Sequence, residues 1–174
     1  MLVVSDTTPI ISLMKDNRLG LLKDLFKEIV IPEAVYNVLT SNMKFAREAE
    51  TISRCDFIRT VSVDDRKVID VFQKVTGLDL GESEAIIYSD ENAADILLME
   101  EVKGRQVAKQ MNIRVIGTLG ILQLANAKGL MTGNEVRHTL EILKASQRHI
   151  SDALIEVVLA NLEDQKILRQ FPSC

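Results

Sequence analysis

The chain predicts an α/β fold of three layers, α/β/α, on a short-stranded, mainly parallel central sheet. Two observations carry this. Short apolar runs without polar alternation recur along the sequence, as strands buried on both faces of a parallel sheet require. Between them lie stretches with apolar residues at helical spacing, and strands alternating with helices imply right-handed βαβ crossovers. At 174 residues the chain suffices for one cored domain. Residues 1–162 are expected to form it, with a polar tail over 163–174.

The first run, Leu2-Val3-Val4, meets Ser5, Asp6, Thr7 and Thr8 before Pro9 opens a helix. Asp6 thus stands where a strand ends, at the edge where parallel α/β sheets bind ligands. The same place suits a helix N-cap with Pro9 in the first turn. Pro9 to Met14 and Leu19 to Phe26 read as a helical pair, weakened at Gly20. Ile29-Val30-Ile31 is a strand closed by Pro32. Glu33 to Leu39 starts a helix, and Asn42 to Arg54 continues helical with Lys44, Arg47, Glu48 and Glu50 solvated. Phe57 to Val63 is a strand candidate. Asp64 to Val75 is amphipathic, with Val68, Ile69, Val71, Phe72 and Val75 at helical spacing.

A further helix begins near Glu82. Glu82, Ala85, Ile86, Ser89 and Ala93 share its sheet-facing side, and Glu84 faces elsewhere. Both acids also favour the positive end of the helix dipole. Ile96 to Met99 is an apolar strand running into Glu100 and Glu101. Val102 to Met111 is a helix carrying Lys103, Arg105 and Lys109, and Arg114-Val-Ile116 is a short strand. Gly117-Thr-Leu-Gly120 turns into a helix over Ile121 to Lys128. Thr132 to Lys144 opens on a capping-box pattern, Thr132 before Glu135, and Ser151 to Leu162 is the last helix.

Composition narrows the function. No stretch approaches the ~18–20 unbroken apolar residues of a membrane span. The N-terminus lacks the features of a signal peptide, so the expected location is cytoplasmic. Cys55 and Cys174 are isolated, which indicates neither a zinc site nor a disulfide framework. His138 and His149 have no triad-like neighbourhood. A net charge of −4 argues against a passive, charge-driven nucleic-acid binder. It leaves room for a nuclease, because acidic metal ligands lower the bare charge and bound cations reverse the local sign. The Gly117 to Gly120 turn lacks the spacing of a dinucleotide fingerprint.

Strand C-termini and helix N-termini share one edge of a parallel sheet, so Asp6, Glu82 and Glu100 project at one rim. Three carboxylates converging there without obvious Lys or Arg partners raise one another's pKa. A hard divalent cation resolves such a cluster. Mg²⁺ or Mn²⁺ fits the oxygen donors, and the associated chemistry is phosphodiester hydrolysis.

Several segments resemble a prokaryotic branch of the PIN-domain superfamily. They are Val-Val-Ser-Asp-Thr-Thr-Pro-Ile10, Val-Ile-Pro-Glu-Ala-Val35, Leu-Gly-Glu-Ser-Glu-Ala-Ile86 and Leu-Leu-Met-Glu-Glu-Val-Lys-Gly-Arg105. Val115-Ile-Gly-Thr-Leu-Gly-Ile-Leu122 and Ile150-Ser-Asp-Ala-Leu-Ile155 extend the likeness over nearly the whole chain, in order. The resemblance implies a PIN-like metal-dependent ribonuclease fold, often the VapC-type toxin of a VapBC-type toxin–antitoxin pair. RNA would be the substrate, an antitoxin protein a partner, and a homodimer the assembly. Asp6 matches the first family acid and Thr7 the hydroxyl residue after it. Glu82 matches the acid opening the later helix, with Glu84 as second choice. Glu100 stands where Asp is expected, with Glu101 beside it. Val38 lies where the family pattern usually has an acid. The resemblance sets the substrate groove beside the helices that carry Lys44, Arg47, Lys103 and Arg105, which makes those residues the candidate RNA contacts.

Two other readings compete. Val38 and Glu100 together suit a degenerate PIN domain that binds nucleic acid or protein without cutting. A receiver-type phosphoacceptor domain also gathers acids at a sheet edge. Here a single Asp6 replaces the expected acidic pair, and no Lys follows a late strand.

Overall fold

The computed structural model describes residues 1–41, 46–146, 153 and 155–162, the side chains of 46–48 excepted. Its sheet has five strands, all parallel: β1 Val3–Ser5, β2 Ile29–Pro32, β3 Ile58–Val61, β4 Ile96–Leu98 and β5 Val115–Ile116. They lie in the order β3-β2-β1-β4-β5. The chain winds outward from β1 through β2 to β3, then crosses back so that β4 takes the other side of β1. Val4 registers with Val30, and Val3, Val4 and Ser5 register with Ile96, Leu97 and Leu98. This reversal between β1 and β4 is a topological switch point, where a crevice opens outside the carboxyl ends of the strands.

Helices cover both faces. They are α1 Thr7–Lys15, α2 Gly20–Phe26, α3 Glu33–Ser41, α4 Ala46–Arg54, α5 Arg66–Thr76, α6 Leu80–Glu91, α7 Val102–Gln110, α8 Thr118–Ala127 and α9 Gly133–Ala145. Residues 155–162 form a further helical stretch. Alternate strand residues feed two cores, which is why the runs carry no polar positions. Val3, Ile29, Ile31, Ile96 and Leu98 pack with α1, α2, α8, α9 and residues 155–162. Val4, Leu97 and Met99 pack on the other side with Ala85 and Ile86 of α6 and Ala108 of α7. Gly104 permits the second layer, since a Cβ there would stand 2.5 Å from Met99 Sδ.

One expectation holds and one is corrected. The spacing of Val68, Ile69, Val71, Phe72 and Val75 marks a helix, and α5 forms. It lies beside α6 rather than over the sheet, so Ile69 is buried with Val63 and Ile87 while Val68, Val71 and Val75 stay exposed. Helix α6 does not have one inward side. Packed on by α3, α5 and α7 as well as the sheet, it is buried all round from Gly81 to Ile87, Glu84 included. Lys44, His149, the start of the last predicted helix and the tail 163–174 lie outside the described residues.

Candidate active-site cleft

Asp6 follows β1 directly and is the N-terminal flanking residue of α1, without a side-chain cap bond of its own. Its backbone N–H donates to Leu98 O at 2.9 Å, which ties the ends of β1 and β4 together. Glu82 sits in the first turn of α6. There it closes a capping box: Asp79 Oδ1 accepts from Glu82 N–H at 2.8 Å, and Glu82 Oε2 accepts from Asp79 N–H at 3.0 Å. Glu100 follows β4. Its Oε1 accepts from the N–H of Thr118 at the start of α8. Glu101 caps α7 through Lys103 N–H.

These elements converge. Asp6, Asp79, Glu82, Glu100 and Glu101 line one cleft of about 1220 Å³ at the switch point, with Thr7, Asn37, Val38 and Thr118 among its walls. None of the described residues lining it is Lys or Arg. The electrostatic consequence falls on Asp6, which is 5% exposed. Burial, then the charges of Asp79 and Glu82, push its carboxyl up from 3.8 to about 6, against the opposing pull of the Thr7 and Thr8 amides. Glu82 is also raised, first by burial and then by Asp79 and Glu101, while the Asp79 amide and Lys103 oppose.

The other candidates fall in different places. Glu84 is 1% exposed and outside the cleft lining; Oε2 accepts from Ala34 N–H at 3.1 Å and Oε1 pairs with Arg66 Nη1 at 3.1 Å. Lys103 is exposed beside Gly77, where a Cβ would stand 2.7 Å from its Nζ. Arg105 donates to Met99 O at 3.2 Å and reaches toward Gly117 beside Glu100. A side chain at Gly117 would meet both Arg105 Nη1 at 2.7 Å and Glu100 Oε2 at 2.9 Å. Arg47 lies in α4. Val38 is 54% exposed in the cleft wall, an apolar residue among acids.

Asp79 is not among the residues the sequence marks as candidates. Its signal is the pattern Asp79-x-x-Glu82, an N-cap acid followed three positions on by a Glu.

A divalent cation finds a suitable donor set here. The carboxylates are hard oxygen donors, and burial first, then the neighbouring acids, raise the Asp6 carboxyl to about 6. Beside them the Thr118 hydroxyl, in the cleft lining, is buried with no hydrogen-bond partner among the described residues. Each of the three glutamates uses one carboxylate oxygen in its helix cap. Among the described residues no three such side chains already close on a common point.

A family profile described as a PIN domain (DUF3368) matches residues 2–164. Among solved structures, a PilT N-terminus domain protein, SSO1118, from the hyperthermophilic archaeon Sulfolobus solfataricus P2 is similar at 17% identity. The match covers 87% of this chain and 98% of that one, with a TM-score of 0.47. No curated protein matches.

Proposed function

The chain belongs to the PIN-domain family, and from that premise we propose that it is a metal-dependent endoribonuclease acting as the toxin of a VapBC-type pair. The family's fold is of nuclease type, and its members typically use divalent metal ions. The observation that carries the reading is the switch-point cleft, lined by five carboxylates and by no basic side chain among the described residues.

Asp6, Glu82 and Glu100 are the residues that would hold Mg²⁺ or Mn²⁺, with Asp79 and Glu101 adjoining. Such an ion supplies charge neutralisation to a phosphodiester and acidifies a water molecule. The chain's own groups do the rest. Burial of Asp6 keeps its oxygens poorly hydrated, which strengthens their attraction for a cation. Thr7, in the cleft at the first turn of α1, offers a hydroxyl to a phosphate oxygen. Val102 and Leu119 line the cleft with apolar surface that limits water at the scissile bond. Lys103 and Arg105 on α7, with Lys44 and Arg47, steer and position the RNA strand through phosphate contacts. An antitoxin segment that occupies the cleft restrains the enzyme, and the active assembly is a homodimer.

The test is calorimetric titration of Mn²⁺ into wild type and Asp6→Asn, followed by cleavage assays on RNA and single-stranded DNA. Saturable binding and RNA cleavage, both lost in Asp6→Asn, are expected. Val38 in the cleft wall and the capping role of Glu100 favour a second reading, a PIN domain that binds without cutting. A folded wild type that binds RNA yet neither takes up Mn²⁺ nor turns the RNA over would favour that reading instead.

A further inference from the structure

We propose that a second hollow, bounded by α3, α4 and β3, is a nucleobase subsite that selects adenine and cytosine, the bases whose Watson–Crick edge sets an amine beside a ring-nitrogen acceptor, next to the cleaved phosphate. The proposal rests on the nuclease reading and deepens it. The hollow is about 520 Å³ and adjoins the acidic cleft, with Asn37 lining both. A strand whose phosphate lies in the cleft therefore has its neighbouring base within reach of the hollow.

The chemistry of the walls is wrong for a phosphate and right for a base edge. None of the described lining residues is Lys or Arg, and Glu33 adds a negative charge. Glu33 and Asn37 are one helical turn apart on α3, both exposed, and neither has a hydrogen-bond partner among the described residues. A carboxylate accepts from the amine of cytosine, and an Asn amide pairs with the amine and ring nitrogen of adenine. Uracil offers a ring N–H between two carbonyls in place of the amine and ring-nitrogen pair, so it cannot reproduce that pattern of contacts. Tyr36 supplies a stacking surface. Its ring is half-buried and packed on the core, so little ordering remains when a base is laid against it. Ile52 and Ile58 add apolar floor, and Thr60 adds a hydroxyl.

The experiment is fluorescence anisotropy of end-labelled rA5, rC5 and rU5 with Ca²⁺ replacing Mg²⁺, alongside RNA cleavage in Mg²⁺. Wild type, Asn37→Leu, Glu33→Ala and Asp6→Asn are compared, and both α3 changes are at exposed positions that a folded chain tolerates. Wild type should bind rA5 and rC5 about tenfold tighter than rU5. Asn37→Leu should lose the preference for rA5, and Glu33→Ala the preference for rC5, each with rU5 binding unchanged. Equal binding of all three by a wild type that cleaves RNA would overturn the subsite and leave the nuclease reading standing. A uniform loss across the three in Asn37→Leu would also overturn it, by assigning Asn37 to the backbone. Neither binding nor cleavage by folded wild type would overturn the nuclease reading and the subsite with it.

Discussion

Two buried carboxylates in this molecule carry opposite lessons. Glu84, 1% exposed, is matched oxygen for oxygen: one takes the Ala34 amide and the other the Arg66 guanidinium. Asp6, 5% exposed, shares a cleft with further acids and with no Lys or Arg among the described lining residues. The first is a fastener that joins α6 to α3 and α5. The second is out of balance, and buried charge without compensation marks functional sites more often than structural ones. Burial alone did not separate them; their partners did.

The largest effect should come from replacing Asp6, with opposite signs for activity and stability. Asp6→Asn should reduce RNA cleavage by at least about 10²-fold, measured in single turnover. The same change should stabilise the metal-free protein at pH 7 by about 3 kcal/mol, because it removes a carboxylate whose pKa is raised from 3.8 to about 6. The sign in pH follows. A carboxyl raised on folding favours the folded state fully below pH 3.8, and that advantage is lost as pH rises through about 6. The stability gap between the two proteins in urea melts should therefore widen from pH 4 to pH 7. A constant gap would mean that Asp6 is compensated after all.

At Glu84 the outcome should invert. Glu84→Ala strands a buried N–H and breaks the pair with Arg66, at a cost of roughly 2–4 kcal/mol in urea melts. The folded fraction should keep its metal affinity. If instead Mn²⁺ binding disappears with the fold intact, Glu84 belongs with the site. Arg66→Ala should cost less than Glu84→Ala, roughly 1–3 kcal/mol: the guanidinium is 64% exposed, but its loss leaves one oxygen of Glu84, 2% exposed, without its partner. A smaller effect is expected at Val38, where Glu would add a carboxylate to the cleft wall. Val38→Glu should tighten Mn²⁺ binding roughly tenfold and lower metal-free stability by about 1 kcal/mol.

The sheet was legible in the sequence because its inner strands are buried on both faces. Val3 and Val4 feed different cores, as do Leu97 and Leu98, so no polar residue interrupts either run. The common rim followed from the same fact, since parallel strands place their ends at one edge. Asp6, Glu82 and Glu100 do line one cleft. The apolar spacing of α5 identified a helix but not its cover, because periodicity marks a helix face without saying what packs on it. Asp79 went unmarked because the helix was started near Glu82, when Asp79 already caps it at Leu80. The hollow shared by Asn37 had no sequence signal, because it exists only once α3, α4 and β3 are packed together.

The pairing of β1 with β4 has a consequence for the order of assembly. Val3 waits for Ile96, and the Asp6 amide waits for the carbonyl of Leu98. During synthesis the first strand therefore leaves the ribosome with one edge bare while nearly a hundred later residues are made, and such distant pairings form slowly. Asp6 and Glu100 cannot meet in any product that stops before β4. A chain terminated before β4 carries no assembled carboxylate cleft. For a protein whose proposed activity harms its own cell, such incomplete copies are then harmless as nucleases, although their unpaired strand edge is a site for aggregation.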